Sequence, residues 1–153
     1  MKLRIYIDTS VIGGSLDEEF KDASMRLINR SKHGQIILVI SELTELELTD
    51  APQAVQDIFK EIPEENIEYV ELTQEALSLA QKYISEGVIS ESKLVDAEHI
   101  AIATINRVDI LLSWNFHHIV NLKRIRGYNS VNLKYEYPLL EIRNPNEVLD
   151  YED

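Results

Sequence analysis

Leu3-Arg4-Ile5-Tyr6-Ile7-Asp8-Thr9-Ser10-Val11-Ile12 is the stretch whose reading decides the fold. Leu3, Ile5 and Ile7 alternate with Arg4 and Tyr6, the period-two pattern of a β-strand. Asp8 falls where that strand should stop, and Thr9 and Ser10 after it suit a turn or the start of a helix. In an open α/β sheet, ligands gather just beyond the carboxyl ends of the strands. A carboxylate at the end of a first strand is therefore a candidate for chemistry. The plainer alternative is an Asp that only caps a turn or a helix, and the rest of the chain must decide between them.

Outward from that stretch, helices and strands alternate. The spacing of Phe20, Ala23, Leu27 and Ile28 predicts a helix over about 18–32, with Gly34 in the usual place beyond its end. Residues 35–40 form a nearly continuous apolar run, as expected of a strand buried on both faces. Ser41 is placed to cap a short helix over 42–48, and a further helix over 53–61 stops before Pro63. Residues 67–72 alternate like a strand, and Thr73 caps a helix running to about Glu86. The most apolar helix follows over 94–106, then a fourth strand over 108–113. A fifth strand is expected near 130–133, and from about Tyr135 an irregular C-terminal arm holding Pro138 and Pro145. No internal repeat or linker interrupts the pattern. It implies one α/β domain over 1–153, a three-layer α/β/α sandwich whose central sheet is mainly parallel and covered on both faces.

Composition bounds the function. The 153 residues suffice for one sizeable core, and 44% apolar content is that of a globular chain. There is no cysteine, which excludes a disulfide framework and a Cys-based zinc site and fits a cytoplasmic location. No apolar run has the length of a membrane span and no signal-peptide pattern opens the chain, so no membrane partner is expected. The net charge is −12, from 27 acidic against 15 basic residues. That balance speaks against general nucleic-acid binding, which rests on Lys and Arg neutralising phosphates. It leaves room for a local basic patch or a metal-bridged phosphate.

Two more carboxylates are out of place. On a helix over 42–48, Glu47 shares a face with Leu43, flanked by Leu46, and Glu45 lies opposite. Of these glutamates, Glu47 is the one expected to point with the leucines towards the core; the alternative is a skewed helix with Glu47 at a solvated edge. Asp96 opens the apolar helix, with Ile100 and Ala103 on its side. The helix dipole stabilises an Asp there by about 0.3–1 kcal/mol, which explains an N-terminal Asp with no other role. An inward, unpartnered carboxylate costs several kcal/mol, more than the dipole returns. Asp96 is thus expected to have a cation, a hydrogen-bond cluster or solvent beside it. Ser113 and Asn115 follow the fourth strand, so Asp8, Glu47, Asp96 and Asn115 are all compatible with one mouth of the sheet.

These four segments, in this order, resemble the PIN domain, the fold of many metal-dependent ribonucleases and of the toxin half of VapBC-type toxin–antitoxin pairs. The matching pieces are Tyr6 to Ile12, Ile40 to Leu48, Asp96 to Ala103 and Leu111 to Phe116, spread over about residues 3–133. The resemblance implies that Asp8, Glu47 and Asp96 are the first, second and third acids and hold Mg2+ or Mn2+, directly or through water. Thr9 and Ser10 match the hydroxyl or amide positions beside the first acid. The fourth position usually carries Asp, and here it is Asn115, which contributes no charge. The implied activity is phosphodiester hydrolysis in RNA. Hard cations prefer oxygen ligands, and a bound metal lowers the pKa of its water and orients it for in-line attack. The implied partners are an RNA substrate, a protein antitoxin and a second copy of the chain in a homodimer. The rival is a PIN-like module that cleaves weakly or not at all and acts by binding RNA or protein; Asn115 and the −12 charge favour it.

Other residues carry less. Lys123-Arg124-Ile125-Arg126 is the best basic cluster and reads as a solvated surface or an RNA grip. Trp114 suits core packing or, alternatively, base stacking. His99 reads as a packing or hydrogen-bonding residue. His117 and His118 lack the spacing of a zinc site, and no Gly-rich phosphate loop is present.

Overall fold

The structure is a computed structural model that describes residues 1–149. Positions 150–153 of the expected C-terminal arm lie outside the described residues. The first stretch folds as read: strand β1 covers Arg4–Ile7 and helix α1 covers Thr9–Gly13, with Asp8 between them as the N-cap. Helix α2 (Lys21–Lys32) ends at His33, and Gly34 takes φ +70°, a left-handed conformation that glycine adopts without steric penalty. Then come β2 (Ile37–Ser41), α3 (Glu42–Thr49), α4 (Gln53–Lys60) and β3 (Ile67–Val70). Helix α5 (Gln74–Ser85) begins at its Thr73 cap, whose side chain accepts from the Ala76 amide. Helix α6 (Leu94–Ile105) and strand β4 (Ile110–Leu112) follow.

The C-terminal third departs from expectation. Residues 130–133 are not a strand; they close helix α7 (Leu122–Lys134), capped by Asn121, whose side chain accepts from the Arg124 amide. Tyr128, Val131 and Asn132 are the buried residues of α7, a spacing of three and four that belongs to a helix. The fifth strand, β5 (Ile142–Arg143), lies inside the arm expected to be irregular, and α8 (Pro145–Leu149) follows it. Pro145 opens α8, a position where its missing N–H is not needed. Among the described residues of the arm, 135–141 and Asn144 lie outside helix and strand.

Among the described residues the sheet has five strands in the order β3-β2-β1-β4-β5, and every pairing is parallel. β1 is central: Ile5 stands beside Leu38 on one side and Ile110 on the other. Successive side chains point to opposite faces, so each strand feeds two cores. Ile5 and Ile7 join Leu38, Ile40 and Leu112 against Val11, Ile12, Leu27, Ile28 and Val55 of α1, α2 and α4. Tyr6, Val39, Leu111 and Ile142 join Leu79, Tyr83, Ile100, Ala103, Tyr128 and Val131 of α5, α6 and α7 on the other face. The result is a three-layer α/β/α fold. It carries the C-terminal ends of β1, β2 and β4 to one mouth, with the start of α6 beside them.

A buried polar cluster fixes α7 in this arrangement. Tyr83 on α5 donates to Asn132 Oδ1 at 2.5 Å, and Asn132 Nδ2 donates to Thr104 Oγ1 on α6 at 3.3 Å. All three residues are at most 1% exposed. Tyr83→Phe leaves the Asn132 oxygen without its phenol donor, and an unsatisfied buried acceptor costs about 1–3 kcal/mol. The expected result is an unfolding free energy lower by that much, seen as a lower urea midpoint with the m-value unchanged. An unchanged midpoint means the cluster contributes nothing to holding α7.

Candidate active site at the carboxyl end of the sheet

Asp8 is both a cap and a buried acid. Its Oδ1 accepts from the Ser10 amide at 3.1 Å and the Ser10 hydroxyl at 2.5 Å, and its Oδ2 accepts from the Ser113 hydroxyl at 2.6 Å. Asp8 is only 7% exposed. Burial raises its pKa above the ordinary carboxylate value, against the opposing pull of His99 and the two serine hydroxyls. Three donors therefore hold an anion that is still under-compensated.

Glu47 arrives from the next strand. β2 ends in Ser41, which caps α3 by accepting from the Thr44 amide, and α3 swings its glutamates past the mouth. Leu43 is buried, but Leu46 is 64% exposed, so the apolar face of α3 is narrower than its leucines implied. Glu47 sits at the edge of that face with its side chain 37% exposed. Its Oε1 accepts from Thr9 Oγ1 at 2.8 Å and stands 3.3 Å from His99 Nε2. Burial works to raise the Glu47 pKa, but the His99 bond and charge and the Thr9 hydroxyl together bring it below the ordinary value.

His99 is the member of the site that sequence reasoning placed only as a packing or hydrogen-bonding residue. It is 1% exposed and lies one helical turn after Asp96 on α6. Its Nδ1 is 2.6 Å from the Tyr6 hydroxyl, which is 2.7 Å from the Ser41 hydroxyl. Burial disfavours the charged imidazole, yet Glu47, Asp8 and Asp96 outweigh burial and raise the His99 pKa. A His three residues after a candidate acid on one helix face was the available signal for its role.

Asp96 is half-buried, and burial raises its pKa against the positive charges of His118, His99 and Lys93. Asn115 meets it: Asn115 Nδ2 donates to Asp96 Oδ1 at a long 3.4 Å. The Asn115 Oδ1 atom instead accepts from the backbone amides of His117 and His118, at 3.2 and 3.0 Å. Both lone pairs of that oxygen are thus taken by the turn. What Asn115 presents to Asp96 is a donor, where the expected fourth acid would present another acceptor. Lys123 and Arg126 of the basic cluster are exposed on α7, and Arg124 is half-buried and donates to the Val88 carbonyl.

Trp114 proves to be a core residue, 7% exposed. Its Nε1 donates to Ser24 Oγ at 2.9 Å, and its backbone amide donates to Ser10 Oγ at 3.0 Å, tying it to the serine that holds Asp8. Gly14 lets this pair form, because a Cβ there would lie 2.6 Å from both Ser24 Oγ and Trp114 Nε1. Gly14→Ala therefore breaks a buried hydrogen bond and overpacks the site, costing about 1–3 kcal/mol. The expected result is a lowered thermal midpoint together with a changed Trp114 emission spectrum. A variant with wild-type midpoint and emission contradicts this.

Glu47 thus contacts His99, and Asp8 and Asp96 are near enough to feel the charges of both Glu47 and His99. Among the described residues no three His, Asp or Glu side chains converge closely enough to hold one ion as they stand. The N–H groups of His99 and Asn115 lie against Glu47 and Asp96. The donor chemistry nevertheless fits a hard divalent cation. Asp8, Glu47 and Asp96 offer carboxylate oxygens, each oxygen has two lone pairs, and the existing bonds leave some of them free. The raised pKa of buried Asp8 marks a negative charge that a cation would stabilise. A cavity of about 460 Å³ lies elsewhere, at the amino ends of β1 and β4 beside Leu3 and Asp109. Its Arg143 is already paired with Glu141 and Glu147, and it holds none of these acids.

The fold and the placement of the mouth define a PIN-like α/β/α class. No protein-family model and no curated protein matches the sequence. Among solved structures the chain is similar to VapBC2 from Rickettsia felis bound to a DNA fragment from their promoter, with a TM-score of 0.56. The similarity covers 93% of this chain and 98% of that chain at 12% identity, a likeness of fold.

Proposed function

We propose that this protein is a metal-dependent ribonuclease that hydrolyses phosphodiester bonds in RNA and serves as the toxin of a toxin–antitoxin pair. The observation that carries the reading is that Glu47 stands 3.3 Å from buried His99 at the mouth of the sheet, with Asp8 and Asp96, from two further elements, close enough for their charges to raise the His99 pKa. Asp8, Glu47 and Asp96 are the residues that would hold Mg2+ or Mn2+. When bound, the metal supplies charge neutralisation for the phosphate and a water of lowered pKa. Ser10 and Ser113 keep the Asp8 carboxylate fixed, and Thr9 orients Glu47. His99, held by Tyr6, supplies an N–H to Glu47 and lessens the mutual repulsion of the acids. Lys93 lies near Asp96 as a positive charge for an approaching phosphate. The fold likeness to a toxin–antitoxin complex supports an antitoxin as protein partner, and the family resemblance supports a homodimer.

One observation favours a second reading, a module that binds RNA or protein without cleaving it: Asn115 offers Asp96 an N–H where a fourth carboxylate would favour a second cation. The deciding experiment incubates single-stranded RNA with the purified protein and Mn2+. The ribonuclease reading expects cleavage that EDTA stops. Intact RNA in the presence of demonstrably bound Mn2+ leaves the binding module standing.

A further inference from the structure

We propose that the ring of Phe116 stacks on an unpaired base of single-stranded RNA lying across the Asp8–Glu47–Asp96 mouth. The inference rests on the reading that this mouth receives RNA, and it names the residue that grips a base there. Phe116 follows Asn115, the residue that touches Asp96. It belongs to an aromatic ledge. Phe20 stacks on Trp114 with ring centroids 4.1 Å apart and planes 18° apart, and Phe116 tilts against both at 6.1 Å.

The ledge is rigid at its base and open at its tip. Trp114 is 7% exposed and fixed by Ser24 and Ser10, whereas Phe116 is 44% exposed. Ser10 holds both the Trp114 backbone and the Asp8 carboxylate, so the ledge and the acids share one support. The ring of Phe116 packs on Phe20 and Trp114 yet stays 44% exposed, leaving an aromatic surface open beside a polar site.

Charge identifies the occupant. The chain carries −12 overall, yet exposed Lys93 brings a positive charge to Asp96, the acid that Asn115 touches next to Phe116. A lysine and a mouth of metal-holding acids next to an exposed aromatic face suit a phosphate backbone and a base together. Every base has a π-face, so such a contact tolerates many sequences, but the base must be out of a duplex to reach the ring. Trp114, the obvious stacking residue by type, is too buried to do this; it supports the ring that does.

Trp114 is the only tryptophan, so its emission reports on this ledge directly. The test titrates a short single-stranded oligoribonucleotide, and the duplex of the same sequence, into Asp96→Asn protein with Mg2+, with and without Phe116→Ala or Phe116→Tyr. The expected result is a change of Trp114 emission with the single strand, an affinity about tenfold weaker in Phe116→Ala, recovery in Phe116→Tyr, and little response to duplex. Equal affinity of Phe116→Ala and its parent overturns the inference. So does a Phe116→Ala variant that sediments as a smaller species with RNA affinity unchanged, because the ring then covers a protein partner. Cleavage kinetics separate the two readings. Phe116→Ala cleaving with unchanged KM, in a reaction that EDTA stops, removes the stacking role and keeps the ribonuclease. RNA binding that depends on Phe116 without any cleavage by the unsubstituted protein keeps the stacking role and removes the ribonuclease.

Discussion

Replacing Asp96 by alanine should lower the rate of RNA cleavage by at least about 100-fold while leaving the protein folded. The magnitude follows from the site: residues that merely orient metal ligands are worth about 10–100-fold in affinity or activity, and a ligand itself is worth at least as much. Asp96 is the acid least involved in the architecture. It lies in the first turn of α6, half-buried, and its hydrogen bond is the long one from Asn115. Its contribution to the helix dipole is about 0.3–1 kcal/mol, and alanine returns part of that through its helix propensity. The stability change should therefore stay within about 1 kcal/mol, so a loss of cleavage is not a loss of fold. The measurement pairs single-turnover RNA cleavage in Mn2+ with urea unfolding of the same samples. Cleavage by Asp96→Ala at the wild-type rate removes Asp96 from the site and the ribonuclease proposal with it.

Asp8→Asn should separate the function of the buried acid from its structural role. At neutral pH the folded protein holds Asp8 nearly out of solvent, and its raised pKa means folding disfavours the ionised form. The amide is close to isosteric. Its oxygen can keep the Ser10 bonds, and its NH2 can donate to the Ser113 hydroxyl in place of accepting from it. Removing the charge therefore relieves desolvation and repulsion from Glu47 without opening a cavity. In the metal-free protein the expected result is a higher thermal midpoint, on the order of 2–4 °C for each kcal/mol relieved. Mn2+ affinity should fall in the same variant by at least about 100-fold. A gain of stability with a loss of affinity is what an acid kept for chemistry produces. If Asp8→Asn instead lost stability and kept its Mn2+ affinity, Asp8 would be only the cap of α1, the alternative that its first stretch always allowed.

The elements that could be read from the chain were those whose signals are local. Thr73 and Ser41 cap helices through bonds to amides three residues on, and Gly34 supplies the left-handed turn where α2 ends. Residues 130–133 misled for a related reason. Serine, valine and asparagine at 130–132 are weak helix formers, and the helix is set by burying Tyr128, Val131 and Asn132 against α5 and α6. β5 escaped because a strand of two residues holds too few side chains to show a period, and its existence depends on β4 lying beside it.

The amino-acid order alone determined that a carboxylate would end the first strand, that helices would alternate with parallel strands, and that Glu47 and Asp96 lay on helices where they could reach the same mouth, though it placed Glu47 deeper than the 37% exposed side chain it has. Alternation, capping and helical spacing act over a few residues, so they are written in neighbouring letters. Only the tertiary structure decided what those acids face. His99 meets Glu47 across 52 positions, Ser113 meets Asp8 across 105, and Asn115 turns its N–H rather than its oxygen towards Asp96 because two backbone amides already hold that oxygen. Such contacts depend on packing that brings distant strand ends to one mouth, and hydrogen-bond direction is settled only when every competing donor and acceptor is in place.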